Sequence, residues 1–148
     1  GAYTTSGPPT HIVISSVDPR YRVAALEMLF HEASHGWDDV LTSGIARAAA
    51  AQHKTPPPQL WHAVLFFTAG ELTARTTGDE DYVVHALRSG VYDRACGGWG
   101  ALLLKHWGPR LDGRVSIDEA LSALVAAIPA EGMQQRNDTE TQRHRERN

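Results

Sequence analysis

Segment 26–41 of the chain, LEMLFHEASHGWDDVL, sets two histidines and a glutamate into a run of residues with helical spacing. From Tyr21 onward, apolar residues recur at steps of three and four, which is the pattern of an amphipathic helix. The residues that form this pattern are Val23, Leu26, Phe30, Trp37 and Leu41. We therefore expect a first helix that begins near Tyr21 and buries this apolar face.

His31 and His35 are four residues apart, so a helix places both side chains on one face, with their Cβ atoms about 5–6 Å apart. Zinc–nitrogen bonds of about 2.0–2.1 Å allow both imidazoles to reach one ion at that separation. Glu32 points away from this axis, beside the position of a metal-bound water. The spacing therefore predicts a metal site in which Glu32 is placed as a general base.

Further helices follow from periodicity and from helix-breaking residues. The sequence TSG at 42–44 predicts a bend or break near Ser43, and KTPPPQ at 54–59 ends the helix because proline cannot donate to the helical ladder. Segment 59–75, QLWHAVLFFTAGELTAR, is apolar on most sides and predicts a second helix in the core. The sequence SIDE at 116–119 fits a capping box before a last helix.

One short strand is predicted at 10–16, THIVISS, because β-branched residues dominate it. Residues 1–9 predict a flexible lead-in, and residues 130–148, which lack apolar spacing, predict a disordered polar tail. One domain then covers 10–129. We expect a mainly α fold, α+β with one short N-terminal strand, in which the helix with the two histidines packs on the second helix.

Charge and cysteine content narrow the classes of partner and site. A net charge of −3 and an isoelectric point near 6.2 argue against nucleic acid and acidic membrane surfaces as partners. Cys96 is the only cysteine, so a zinc site would use nitrogen and oxygen ligands. No run approaches the roughly 18 apolar residues of a bilayer span, so we expect a soluble chain. A start at Gly1 is compatible with export or with excision from a longer precursor.

The sequence HEASH at 31–35 matches the HExxH pattern and resembles the zincin superfamily of zinc-dependent metallopeptidases. The resemblance implies that His31 and His35 bind zinc, that Glu32 activates a water, and that peptide bonds are hydrolysed. The metzincin branch has a histidine six residues after the second one, but Leu41 stands there, which excludes that branch. The gluzincin branch instead takes a glutamate from a following helix, and Glu71 meets this description.

Two residues of the second predicted helix compete for the role of third ligand. Glu71 has Val64, Phe67 and Thr68 as helical neighbours, and a carboxylate in such surroundings needs a cation or another partner. His62 lies nine residues earlier, on nearly the opposite side of the helix at about 100° per residue. Both residues cannot easily bind one ion, and we expect Glu71 to complete the site, with His62 as the alternative.

The resemblance also requires residues around the metal. Gluzincins often carry an acidic residue four positions after the ligand glutamate, but Arg75 stands there; Asp38 or Asp39 could instead accept an imidazole N–H. A donor to the developing oxyanion is expected from a later segment, and the candidates are Tyr82, His85 and Tyr92, of which Tyr92 is our choice. Strand 10–16 is expected to hold an extended peptide substrate by backbone pairing.

Two other hypotheses fit the same residues. The first is a zinc-stabilised binding or regulatory module without hydrolytic activity. The second is a metal-free, all-helical interaction domain, in which the histidines lie on a solvated helix surface. Measurement of bound zinc separates the metal-free hypothesis from the other two.

Overall fold

A computed structural model describes residues 1–5, 7–79, 81–92 and 98–129. The elements follow in chain order: β1 (Ala2–Thr4), β2 (Ile12–Ile14), α1 (Tyr21–Ser34), a 3-10 turn (His35–Trp37), α2 (Asp38–Ala51), α3 (Leu60–Thr77), α4 (His85–Arg88), α5 (Gly100–His106), α6 (Gly108–Leu111) and α7 (Ile117–Ala127). The fold is mainly helical with one small sheet, which confirms the predicted fold class. The tail predicted at 130–148 lies outside the described residues.

The small sheet is an antiparallel pair in which Tyr3 lies opposite Val13. β2 lies within the predicted strand 10–16. Its partner β1 comes from the segment expected to be a flexible lead-in, so that expectation is wrong for Ala2–Thr4. Both strands contact α1, and this contact explains why so short a sheet forms: a two-stranded ribbon needs a packed surface to be stable.

The core lies around α3, which contacts α1, α2, α4 and α5. Its sequence is apolar on most sides, as predicted, and Leu60 and Val64 of this helix are fully buried with Leu121 and Leu124 of α7. α7 begins at the predicted capping box, in which the Ser116 hydroxyl accepts from the Glu119 amide. Among the described residues, none of the helices combines the length and apolarity that a bilayer span requires.

The break in the first helical segment lies earlier than the sequence predicts. The 3-10 turn at His35–Trp37 separates α1 from α2, and α2 then continues through Ser43 without interruption. Gly36 lies in this turn and weakens the helix there. Gly44 has a packing role instead, because a Cβ at this position would lie 2.5 Å from Leu121 Cδ1. α2 and α7 therefore approach each other closely at Gly44.

The burial of α1 is the reverse of the predicted one. The exposed fractions are 66% for Val23, 39% for Leu26 and 37% for Phe30. The side that faces the protein buries the polar residues Glu27, His31 and Glu32 together with Ala24 and Met28. The prediction of a buried apolar face is therefore wrong for these three apolar residues and for Trp37, and it is confirmed for Leu41, which is 5% exposed.

We expect Gly70→Ala to lower the free energy of unfolding by about 1–3 kcal/mol, the usual cost of overpacking. The added Cβ would lie 2.7 Å from Val84 Cγ1 and 2.8 Å from Val84 Cβ, which outweighs the gain in helix propensity of about 1 kcal/mol. Gly100→Ala is the control, because its Cβ would meet the Tyr92 ring at an ordinary 3.5 Å. Urea unfolding of both variants tests this; a Gly70→Ala protein at least as stable as wild type contradicts it.

Candidate metal centre

Three histidine side chains converge between α1 and α3. One ring nitrogen from each of His31, His35 and His62 lies within 4.8 Å of those of the other two. The Nε2 atoms of His31 and His62 are 3.2 Å apart, close to the roughly 3.3 Å edge of a tetrahedron built from zinc–nitrogen bonds of about 2.0–2.1 Å. The 3.2 Å separation suits two ligands of one zinc ion, and His35 lies near enough to the same point to be a third candidate ligand.

Each of the three histidines is placed by a different local feature of the chain. His31 lies in the last turn of α1, and His35 begins the 3-10 turn that follows, so their rings meet edge to face with centroids 5.1 Å apart. His62 is the third residue of α3, which begins just after the three prolines of 56–58. Packing of α3 on α1 therefore brings its first turn onto the end of α1.

Aromatic side chains of α3 fix the planes of two imidazole rings. The Phe66 ring stacks on His31 with centroids 3.8 Å apart and an angle of 17° between the ring planes. The Trp61 ring stacks on His62 at 4.9 Å and 26°. These contacts limit rotation of the two imidazole rings.

The surroundings hold the buried histidines in the neutral form that binds metals. Burial lowers the pKa of His31 from 6.5 to about 3, with the positive charge that His62 and His35 can carry as the next cause. Burial also lowers the pKa of His62, helped by His35. At neutral pH both imidazoles are therefore uncharged, and each has one nitrogen lone pair available for a cation.

Asp38 contacts the imidazole of His35. The sequence suggested either Asp38 or Asp39 for this contact. The Oδ2 atom of Asp38 is 3.1 Å from Nδ1 of His35, a distance at which the carboxylate accepts an N–H from that ring nitrogen. In the tautomer with its proton on Nδ1, Nε2 is the nitrogen that carries the lone pair a metal would use. This carboxylate–histidine pair is the usual outer support of a zinc ligand.

Glu32 lies beside the histidine cluster and is held by the N-terminal strand. Its side chain is buried, and its Oε2 atom is 4.0 Å from Nε2 of His35. The Thr4 hydroxyl lies 2.8 Å from Glu32 Oε2 and 2.7 Å from the Glu32 carbonyl oxygen, so its one proton is shared between two acceptors of the same residue. β1 thus fixes the rotamer of Glu32, a contact between distant residues that could not be predicted from the sequence.

The cluster opens into a cleft of about 810 Å³. Its walls include the three histidines, Glu32, residues of β1 and Trp61. Of the three predicted oxyanion donors, His85 is the one that lines this cleft. Burial lowers the pKa of His85, with the charges of Arg88 and Arg20 as further causes, so His85 is a neutral hydrogen-bond donor at the edge of the site.

The structure does not bring the predicted residues Glu71 and Tyr92 to the histidines. Both line a separate cavity of about 270 Å³, and within the described part of the chain the metal-capable group contains His62 and not Glu71. Glu71 is 29% exposed and lies 3.6 Å from the Arg75 guanidinium, so a neighbouring cation on its own helix satisfies it. Tyr92 is 4% exposed and packs in the core.

A buried glutamate one turn before His31 escaped the sequence prediction. Glu27 is fully buried, and its Oε2 atom accepts from the Tyr82 hydroxyl and from the His85 amide, each at 2.7 Å. Glu27 thereby ties the segment that carries His85 to α1. The signal was available, because Glu27 is four residues before His31 and shares its helix face.

Comparison with known proteins adds no family to this geometry. No protein-family model, no curated protein and no solved structure matches the chain.

We expect Glu27→Gln to make the slope of stability against pH more positive than in the wild type above about pH 4.5, in the metal-free protein. Burial raises the pKa of Glu27 above its ordinary value of 4.5, so the folded state holds this proton more tightly than the unfolded state. The contribution of Glu27 to stability is therefore lost as pH rises through its folded pKa. Urea unfolding across this pH range, in the presence of a chelator, measures the slope.

Glu71→Gln is the matched control, since it removes a partly exposed carboxylate from α3, and Glu27→Gln should change the slope more than this control does. Equal slopes for Glu27→Gln and wild type would contradict the role of burial.

Proposed function

We propose that the chain is a zinc-dependent hydrolase that cleaves peptide bonds, with His31, His35 and His62 as zinc ligands and Glu32 as general base. One observation carries this proposal: three imidazole nitrogens converge in an open cleft next to a buried carboxylate. Three protein ligands with one position left for water is the arrangement of catalytic zinc, whereas structural zinc has four protein ligands.

The donor set fits zinc on three counts. All three ligands are imidazole nitrogens, which zinc accepts readily, and the burial of His31 and His62 keeps them neutral. Asp38 Oδ2 contacts Nδ1 of His35 and orients this ring. A zinc ion bound there would polarise a substrate carbonyl and lower the pKa of a water molecule towards 7.

Glu32 and His85 then supply proton transfer and charge stabilisation. Glu32 takes a proton from the attacking water and delivers it to the leaving amine, since a single carboxylate serves first as base and then as acid. The Thr4 hydroxyl keeps this carboxylate aimed at the cleft. His85, neutral and on the wall of the cleft, donates to the oxygen on which negative charge develops.

An extended peptide is the substrate form that suits the cleft. The Thr5 amide donates to the His11 carbonyl, and the Ser15 amide donates to the Gly1 carbonyl. Because backbone groups alternate along an antiparallel strand, Ala2 and Thr4 direct theirs towards the other edge of β1. β1 lines the cleft, so this edge, rather than the predicted strand 10–16, is offered to a peptide for backbone pairing.

A metal-free histidine network is the second candidate. It is favoured by the same 3.2 Å separation between Nε2 of His31 and Nε2 of His62, because two neutral imidazoles can share an N–H···N hydrogen bond at this distance. The two candidates differ in zinc stoichiometry. One zinc ion bound per chain supports the hydrolase, whereas a protein that binds no zinc excludes it.

Replacement of His62 tests the ligand set. We expect His62→Ala to weaken zinc binding by more than the roughly 10–100-fold typical of losing an outer-shell partner, because a direct ligand is lost. Glu71→Ala should leave the affinity unchanged, since Glu71 lies in a different cavity with Arg75. Competitive zinc titration against a fluorescent chelator measures both. Weaker zinc binding by Glu71→Ala, with unchanged binding by His62→Ala, would identify Glu71 as the third ligand instead.

Replacement of Glu32 separates catalysis from metal binding. We expect Glu32→Gln to retain one zinc and to lose about 10²–10⁴-fold in peptide hydrolysis, the range that general base catalysis contributes. The Thr4 hydroxyl can still donate to the amide oxygen, so the fold is preserved. Hydrolysis of fluorescein-labelled casein by zinc-loaded protein provides the measurement. A zinc-loaded wild-type protein without any hydrolysis would instead favour the non-catalytic zinc module.

A further inference from the structure

The outward face of α1 is apolar along its whole length. Val23, Leu26, Phe30 and Ala33 follow one another at steps of three, four and three residues, and all four are exposed. This spacing is that of the apolar seam between two packed helices. We call these four residues the α1 stripe. Leu29, 42% exposed, borders it.

The protein-facing side of α1 holds Ala24, Glu27, Met28, His31 and Glu32, so the stripe on the opposite side is left for solvent or for another molecule. A contiguous exposed apolar patch of this kind marks an interaction surface. The apolar residues of the sequence 130–148 are Ala130 and Met133, so its composition offers little apolar surface to pack on the stripe.

We propose that the α1 stripe binds the α1 stripe of a second copy of this chain, with the two helices antiparallel about a twofold axis. This proposal does not rest on the zinc-dependent activity. In a symmetric pair centred at position 28, Leu26 of each copy faces Phe30 of the other, and Val23 faces Ala33. A large residue then meets a small one at both ends, which is the self-complementarity that a twofold interface needs.

The area of the stripe matches a small specific interface. With side-chain areas of about 100–200 Å², the exposed fractions of the stripe and Leu29 correspond to roughly 300–400 Å² of apolar surface per copy. With an apolar share of about 60%, such a pair buries roughly 1,000–1,300 Å² in total. This lies at the lower end of the range for specific protein pairs.

Charge favours a protein partner over a lipid surface. A helix that binds an anionic membrane carries lysines and arginines on both borders of its apolar face. Here the exposed charged residue within α1 is Arg22, and the net charge of the chain is −3. A second copy, which requires no opposite charge, is therefore the occupant that the surface fits.

Sedimentation equilibrium of the full chain, with and without zinc, tests the proposal. We expect wild-type protein to sediment at twice the 16.2 kDa mass of the chain, and Leu26→Asp to raise the dissociation constant at least about 30-fold, as for loss of a central interface residue. Leu72→Asp is the matched control, because Leu72 is exposed to a similar degree, 42% against 39%, on α3. It should leave the dimer intact.

Mixed disulfide formation tests the orientation. In a Cys96→Ser background, Val23→Cys protein mixed with Ala33→Cys protein should form the crossed pair in preference to either self-pair. A monomer at all concentrations, a dimer insensitive to Leu26→Asp, or a preference for self-pairs would each overturn the proposal. So would binding of monomers to vesicles of phosphatidylcholine and phosphatidylglycerol that Leu26→Asp abolishes, since the stripe would then be a membrane surface.

Discussion

The structure depends on the contact between the polar face of α1 and the first turns of α3. An interior that takes in imidazoles and carboxylates must satisfy them, because an unpaired polar group in such a place costs several kcal/mol. Here the Phe66 ring stacks on His31, and Nε2 of His31 lies 3.2 Å from Nε2 of His62. The Tyr82 hydroxyl and the His85 amide donate to Glu27 Oε2, whereas Glu27 Oε1 and His31 Nδ1 have no hydrogen-bond partner among the described residues. The site and the fold are therefore one arrangement. α1 docks on α3 through the same side chains that would bind a metal.

The sequence was sufficient to predict that the fold is mainly helical and that two of the three clustered histidines share a helix face. HExxH spacing places His31 and His35 on one face whatever the tertiary structure, and the capping box at Ser116 depends on four adjacent residues. The approach of His62 to this pair needed long-range information. Helical periodicity places His62 and Glu71 on opposite sides of α3, but it does not say which side of α3 faces α1. We expected the Glu71 carboxylate to need a metal, but the Arg75 guanidinium on the same helix lies 3.6 Å from it and supplies a positive charge.

Neither the exposure of the apolar stripe of α1 nor the strand β1 could be predicted from the sequence. An apolar stripe normally marks the buried side of a helix, yet the stripe of α1 is outside, because the opposite face carries the polar site. β1 is three residues long, too short for its composition to predict a strand, and contact with α1 stabilises its pairing with β2. Its effect on the site is local: a single threonine hydroxyl holds Glu32 in the cleft. A three-residue strand that local sequence patterns do not predict thus supplies the contact to Glu32.

Anomalous diffraction at the zinc edge from zinc-soaked crystals shows whether zinc binds between α1 and α3. We expect one strong peak per chain, about 2.0–2.1 Å from Nε2 of His31, His35 and His62, with the Glu32 carboxylate beside it and Glu71 elsewhere. A peak bound by Glu71, or no peak between α1 and α3 in fully soaked crystals, would contradict it.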